Sequence, residues 1–301
     1  MVDWFRLFLA LSVCLTHAKD TYPVWPVNYL AIWAVPGFLS ISGFYVLRSY
    51  EQSSSWRDFI KKRVLRVMPA FFVSLYIVWL YAGAPGLEGT LRFYFTLGLT
   101  TDMGVPNAPL WTLSTEELCY GLLAILFTLG AYKRRWPIWC AFVISCVVAT
   151  MGAFSGPPAV TMLCNLFAPF FAGSLVYIYR DKITGAFLPG FALIVGAILL
   201  PLVHVGYVWP ASWVPGLLMG VGILSIRSVR MPKIPDISYG VYVYHMPLFW
   251  ISYGHAWIFF SSLFYLSISS WYIVERPALT LKTGKGWPKL DPFPSPEEFA
   301  A

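Results

Sequence analysis

Charge is scarce in this chain. Only 12% of its residues are Asp, Glu, Lys or Arg, about half the share of a soluble domain, and 58% are apolar. Three stretches, 137–179, 183–226 and 237–274, contain no charged residue at all. A chain so poor in polar surface cannot cover a globule with a water-compatible face, so a soluble enzyme is excluded. The five cysteines all lie in apolar segments and form no C-x-x-C pair, which excludes a zinc ribbon and gives no sign of a disulfide framework. The four histidines are scattered, with no carboxylate cluster at ligand spacing, so no metal is expected. Nothing resembles a phosphate-binding glycine loop or a G-x-S-x-G elbow. The loops between apolar runs are short and leave no room for a separate soluble catalytic module.

What is present reads as a polytopic all-α membrane protein. Apolar runs cover 3–17, 29–47, 67–81 and 110–132. The three uncharged stretches each divide in two, at Ser155 to Pro158, near Trp209 and Pro210, and near Gly254 and His255. That makes ten spans. A further apolar piece, 91–99, is too brief to cross a hydrocarbon core that needs about 20 helical residues, and it reads as a re-entrant or surface helix. The first run lacks a small-residue cleavage motif and itself carries Arg6 and His17, so it reads as a retained span rather than a signal peptide. Trp and Tyr, 14 and 18 in number, cluster near run ends, where amphipathic rings favour the interface.

The net charge is +7, and the excess of cations falls between the runs. That distribution fits the positive-inside rule and not a nucleic-acid surface. With the N-terminus inside, the basic clusters at 48–66, 133–135, 180–182, 227–233 and 276–289 all share the cytoplasmic side. Counting 91–99 as a crossing would split them, so the charges favour ten spans over eleven. Both termini are then cytoplasmic. The membrane domain is expected over 1–284, and the tail 285–301, with four prolines and few aliphatics, is expected to be disordered.

The chemistry concentrates in the first 120 residues. Arg6 and His17 are eleven positions apart, which on a helix at about 100° per residue returns nearly to one face, roughly 16 Å along the axis. Asp3 stands three residues before Arg6, within reach of an ion pair. Ionisable groups inside a span are expensive and by default suggest a site; snorkelling of Arg6 to the headgroups is the plain alternative. By the same topology Ser114, Glu116 and Glu117 lie at the level of His17, where a carboxylate could orient the imidazole. Alternatively the two glutamates are first-turn acids favoured by the helix N-terminus. Arg63 and Arg66, beside Lys61 and Lys62, form a fork suited to a phosphate or pyrophosphate, or to lipid headgroups. Ser42, Gly43 and Phe44 allow a close approach of helix or ligand. His245 lies midway in the ninth span and needs a partner.

Several blocks in order resemble the membrane acyltransferase-3 family: DWFR with His17, SGF at Ser42 to Phe44, KKRVLRVMP from Lys61, PLWTLSTEELCY from Pro109, ISYGVYVYHMPL from Ile237 and YIVERP from Tyr272. The resemblance spans nearly the whole chain. It departs in Leu7, where many relatives have Gly, and in lacking the extra span and fused extracytoplasmic domain of some members. It implies a ten-span core that moves an acyl group, by default acetyl, from cytoplasmic acyl-CoA to a hydroxyl of a carbohydrate or glycolipid acceptor. It also implies a bacterial inner membrane, with membrane lipid as surroundings. The family's motifs fall on Arg6 and His17, on Arg63 and Arg66, and on Trp111, Ser114 and Glu116. His17, Arg6, Glu116 and Asp3 are the implied catalytic group. Arg63, Arg66, Lys62, Ser42, Gly43 and Phe44 are expected to meet the donor, and Trp111, Ser114 and His245 the acceptor. The rival class is a transporter or flippase for a lipid-linked substrate, which should show paired broken helices in two related halves.

Overall fold

The computed structural model describes residues 1–18, 30–99, 105–129, 134–155, 158–183, 185–200, 213–253 and 255–281. The tail 285–301, His204 and the break at Trp209 and Pro210 lie outside the described residues. So do parts of the breaks at 155–158 and 254–255.

The described residues are helical, with no strand among them. The elements are α1 Val2–Ala18, α2 Leu30–Glu51, α3 Trp56–Phe95, α4 Leu110–Thr128, α5 Trp136–Ser155, α6 Pro158–Ile178, α7 Arg180–Ile183, α8 Phe187–Leu199, α9 Trp213–Ser225, α10 Ser238–Ile251, α11 Ala256–Ser270, a π-helical turn Trp271–Glu275, and α12 Arg276–Thr280. Each apolar run of the sequence is mostly helical over its described residues. Three helical stretches, Trp56–Phe95, Val160–Ile178 and Ala256–Thr280, are long and apolar enough to cross a membrane on their own. Trp136–Gly152, Phe187–Leu199 and Trp213–Ser225 are apolar but shorter.

The piece 91–99, expected as a short re-entrant or surface helix, is helical up to Phe95. It closes the second part of α3, which is separated by a kink at Gly83 from the part that carries the basic segment and the third apolar run. At Gly83 φ is +64° and ψ is −165°, a conformation that L side chains rarely adopt. Pro85 comes two residues later, in the first turn of the resumed helix, where its missing N–H costs least. The chain therefore leaves the helix at Gly83 and begins a second one after it.

Packing defines two layers of core. α2 lies against α6 and α9, α5 against α6, and α9 against α8. Gly43 and Gly173 form the tightest seam, between α2 and α6. A Cβ on Gly43 would stand 1.9 Å from the Phe170 carbonyl oxygen, and one on Gly173 1.7 Å from that of Ser40. The second layer brings α1 against α10 and α2, with α3 and α11 also on α10. Inside α10, Pro247 has no N–H to give the Val243 carbonyl. The buried Asn107 side chain donates to that oxygen at 3.0 Å instead.

Candidate functional site

A cavity of about 320 Å³ opens between α1, α2, α3, α4 and α10. Its polar wall includes Arg6, Arg63, Arg66, Ser42, Glu116, Tyr120 and Tyr242. The apolar wall comes from α2 and α4, for example Phe38 and Leu113.

At one end Arg6 and Arg66 converge on Asp236, each donating to Oδ2 at 2.5 Å. Ser238 donates to Oδ1 at 2.7 Å. All three charged side chains are largely buried, with exposures of 22%, 16% and 14% for Arg6, Arg66 and Asp236. Burial pushes the Asp236 carboxyl up, but the Arg6 and Arg66 guanidiniums, joined by the Ser238 hydroxyl, outweigh it and hold Asp236 well below the usual carboxylate range. This corrects the expected Asp3 to Arg6 pair. Arg6 bonds Asp236 across 230 residues of sequence, and Asp3 is exposed at the helix start. A local pair at this spacing is worth only about 0.2–0.5 kcal/mol, too little to compete with a carboxylate that two guanidiniums share.

Arg63 stands beside this triad. Its Nη2 donates to Ser49 Oγ at 3.0 Å, and its guanidinium lies 5.9 Å from the centre of the Tyr120 ring. Its buried Nε has no partner among the described residues. Lys62 turns away from the cavity, to Asp58 at 2.7 Å and the Gln52 carbonyl at 3.1 Å. Further in, Glu116 accepts from the hydroxyls of Ser42 and Tyr120, the latter at 2.5 Å. Of the SGF block only Ser42 faces the cavity. Gly43 lies in the α2–α6 seam, and Phe44 is packed edge-on against Tyr177 with Arg227 over its ring.

The two site histidines lie outside the cavity lining. His17 ends α1, and its ring centroid lies 5.3 Å from that of His245. His245 lies 5.9 Å from the ring of Tyr242, a wall residue whose hydroxyl bonds Thr112 and, at 3.2 Å, the Pro109 carbonyl. So the histidine pair touches the cavity through Tyr242, while Glu116 bonds Ser42 and Tyr120. Ser114 is buried and donates to the Trp111 carbonyl at 2.8 Å, and Trp111 packs against Gly98. Glu117 accepts from Tyr94 at 2.5 Å. No group of three metal-ligating side chains occurs among the described residues.

The residue that sequence reasoning missed is Asp236. It lies in RSVRMPKIPD, a segment whose cations read as a topology signal, and only its place in the fold brings it to Arg6 and Arg66.

Apolar helices, some long enough to cross a membrane, surround one cavity lined by three arginines and a carboxylate, with a histidine pair beside it. The sequence model for the acyltransferase domain matches residues 2–274, and the chain belongs to the acyltransferase-3 family. It is 27% identical to Nodulation protein 10 of Rhizobium leguminosarum bv. viciae, over 93% of each chain. It is 26% identical to the putative peptidoglycan O-acetyltransferase YrhL of Bacillus subtilis (strain 168), over 64% of this chain and 32% of that protein. This chain therefore spans about a third of YrhL. No solved structure matches it.

Proposed function

We propose that the protein is an integral-membrane O-acyltransferase that moves an acyl group, acetyl by default, from cytoplasmic acyl-CoA to a hydroxyl of a carbohydrate or glycolipid. The observation that carries this reading is the convergence of Arg6, Arg63 and Arg66 on one cavity. Guanidinium forks suit phosphate and pyrophosphate oxygens, and the unpartnered Arg63 Nε is a donor that such an anion would satisfy. The name of YrhL, an O-acetyltransferase, supports the same chemistry.

Arg63 and Arg66 hold the donor phosphates at the basic end. The pantetheine arm runs along the apolar wall toward His17, which lies roughly 16 Å from Arg6 by helix rise. His17 takes the proton of the acceptor hydroxyl as general base. The oxygen attacks the thioester carbonyl, the C–S bond breaks, and the CoA thiolate leaves and recovers the proton from His17. Products are the acyl ester and free CoA, so atoms and charge balance. Glu116, with Ser42 and Tyr120, lines the path between the two ends. The positive-inside count supports a cytoplasmic basic end and an outward-facing His17.

The test uses purified protein in lipid discs with radiolabelled acetyl-CoA, following CoA release and transfer of label in wild type and His17→Ala. Release that falls at least 100-fold in the variant is expected. Undiminished transfer by folded His17→Ala would remove His17 from the mechanism. Absence of release and of CoA binding in folded wild type would favour the transporter.

A further inference from the structure

His245 has no solvent exposure, and its surroundings define which nitrogen carries its hydrogen. Nδ1 lies 2.6 Å from the Tyr242 carbonyl oxygen. A carbonyl only accepts, so Nδ1 is the N–H, and Nε2 of the neutral ring is a bare lone pair. That Nε2 is buried and has no hydrogen-bond partner among the described residues. A buried acceptor left empty is costly. The imidazole of His17 lies beside the His245 ring, centroid to centroid 5.3 Å, with ring planes inclined by 33°. The turn of α10 that carries His245 is fixed by Asn107 on the Val243 carbonyl and by Tyr242 on Thr112. The empty acceptor therefore has a fixed position.

We infer that His245 is a positioning residue for His17: with Nδ1–H held on the Tyr242 carbonyl, its Nε2 accepts an N–H of His17 and aims the other His17 nitrogen at the acceptor hydroxyl. The inference rests on the proposed role of His17 as base. It replaces Glu116 in the orienting role, because Glu116 is taken up by Ser42 and Tyr120. During transfer His245 stays neutral and keeps its one hydrogen on Nδ1. The proton taken from the acceptor resides on His17, and the resulting imidazolium donates to Nε2 in a charge-assisted bond. When that proton passes to the departing CoA thiolate, both rings return to their starting forms.

Two amide variants separate positioning from packing. His245→Asn keeps a donor at the place of Nδ1 and removes the acceptor at Nε2, whereas His245→Gln can set its amide oxygen at the place of Nε2. The expected result is a kcat at least tenfold below wild type for the Asn variant with KM for acetyl-CoA unchanged, and recovery of a large part of it in the Gln variant. Equal loss in both, a change confined to KM, or loss of the fold in both would overturn the inference in favour of packing. A second readout needs no turnover: the rate at which diethyl pyrocarbonate modifies His17, followed by mass spectrometry on the intact protein in lipid discs. It should fall several-fold in the Asn variant and recover in the Gln variant; equal rates in all three proteins would overturn the pairing. If wild type transfers no acyl group, the acyltransferase reading fails, and the modification rates still decide the pairing.

Discussion

Ser42 and Gly43 are neighbours on α2, yet they belong to regions held together by opposite means. Gly43 faces the seam with α6, where two glycines let backbones meet at distances that no side chain permits. Ser42 faces the cavity, where α1, α3 and the segment before α10 are tied by two arginines sharing Asp236. Between apolar helices in lipid, close packing of small residues supplies association without any chemistry. Buried charge costs desolvation and stabilises only when paired. The seam keeps the bundle together, whereas the charged junction lies where the proposed function would place the donor. Damage to the seam should therefore reduce the amount of folded protein, and damage to the junction should also change what each folded molecule does.

The largest effect should come from Asp236→Ala. It leaves Arg6 and Arg66 facing each other without a counter-charge, at a cost of about 3–5 kcal/mol, read as a lowered thermal midpoint. Adding Arg66→Met should restore part of that stability without restoring donor binding. The sign of the pH dependence comes from the depressed Asp236 value. Its stabilisation is complete above the unfolded carboxylate value of about 4 and is lost only as pH falls further through the folded value. The stability gap between wild type and Asp236→Ala should stay constant from pH 7 to about pH 5 and close in stronger acid.

Next in size is Gly43→Ala, which must push α6 away and should cost about 1–3 kcal/mol. Transfer per folded molecule should be unchanged; a changed KM for acetyl-CoA would mean that the seam and the cavity are coupled. Arg63→Gln sharpens the contrast within the cavity. Arg63 has no salt bridge among the described residues, whereas Arg66 has Asp236, so stability should hold while donor binding weakens about tenfold, the weight of one hydrogen bond to a charged group, as calorimetry with CoA would register. The smallest change belongs to Arg92→Gln. It breaks an exposed pair with Glu88, with exposures of 56% and 72%, and should shift stability by under about 0.5 kcal/mol.

The helices were legible because lipid-facing and buried faces are both apolar, so a span appears as an uncharged run bounded by cations or by Gly and Pro. The third run ends at a real break, at Gly83 and Pro85. Both residues are break signals, and here the helix resumes within two residues of the bend. The family and the residues that reach the cavity, Arg6, Arg63, Arg66, Ser42 and Glu116, were also readable from short blocks. Spacing within one helix could not show the partners. Arg6 chose Asp236 over the nearby Asp3, and Glu116 met Tyr120 one turn along its own helix and Ser42 across the bundle. Both outcomes depend on how helices distant in sequence come together.

The π-helical turn at Trp271–Glu275 fixes the rotational phase of α12. A π turn takes up one more residue than an α turn, so the residues beyond it are set back by about 100° around the helix axis. With that offset Glu275, Pro277 and Ala278 are buried and Leu279 reaches the cavity wall. Removing a single residue from the turn would leave a longer, more regular rod with its inward face aimed elsewhere, withdrawing Leu279 from the cavity and sending the Glu275 carboxylate toward lipid. One residue of chain length thus sets the angular address of Leu279 in the cavity wall.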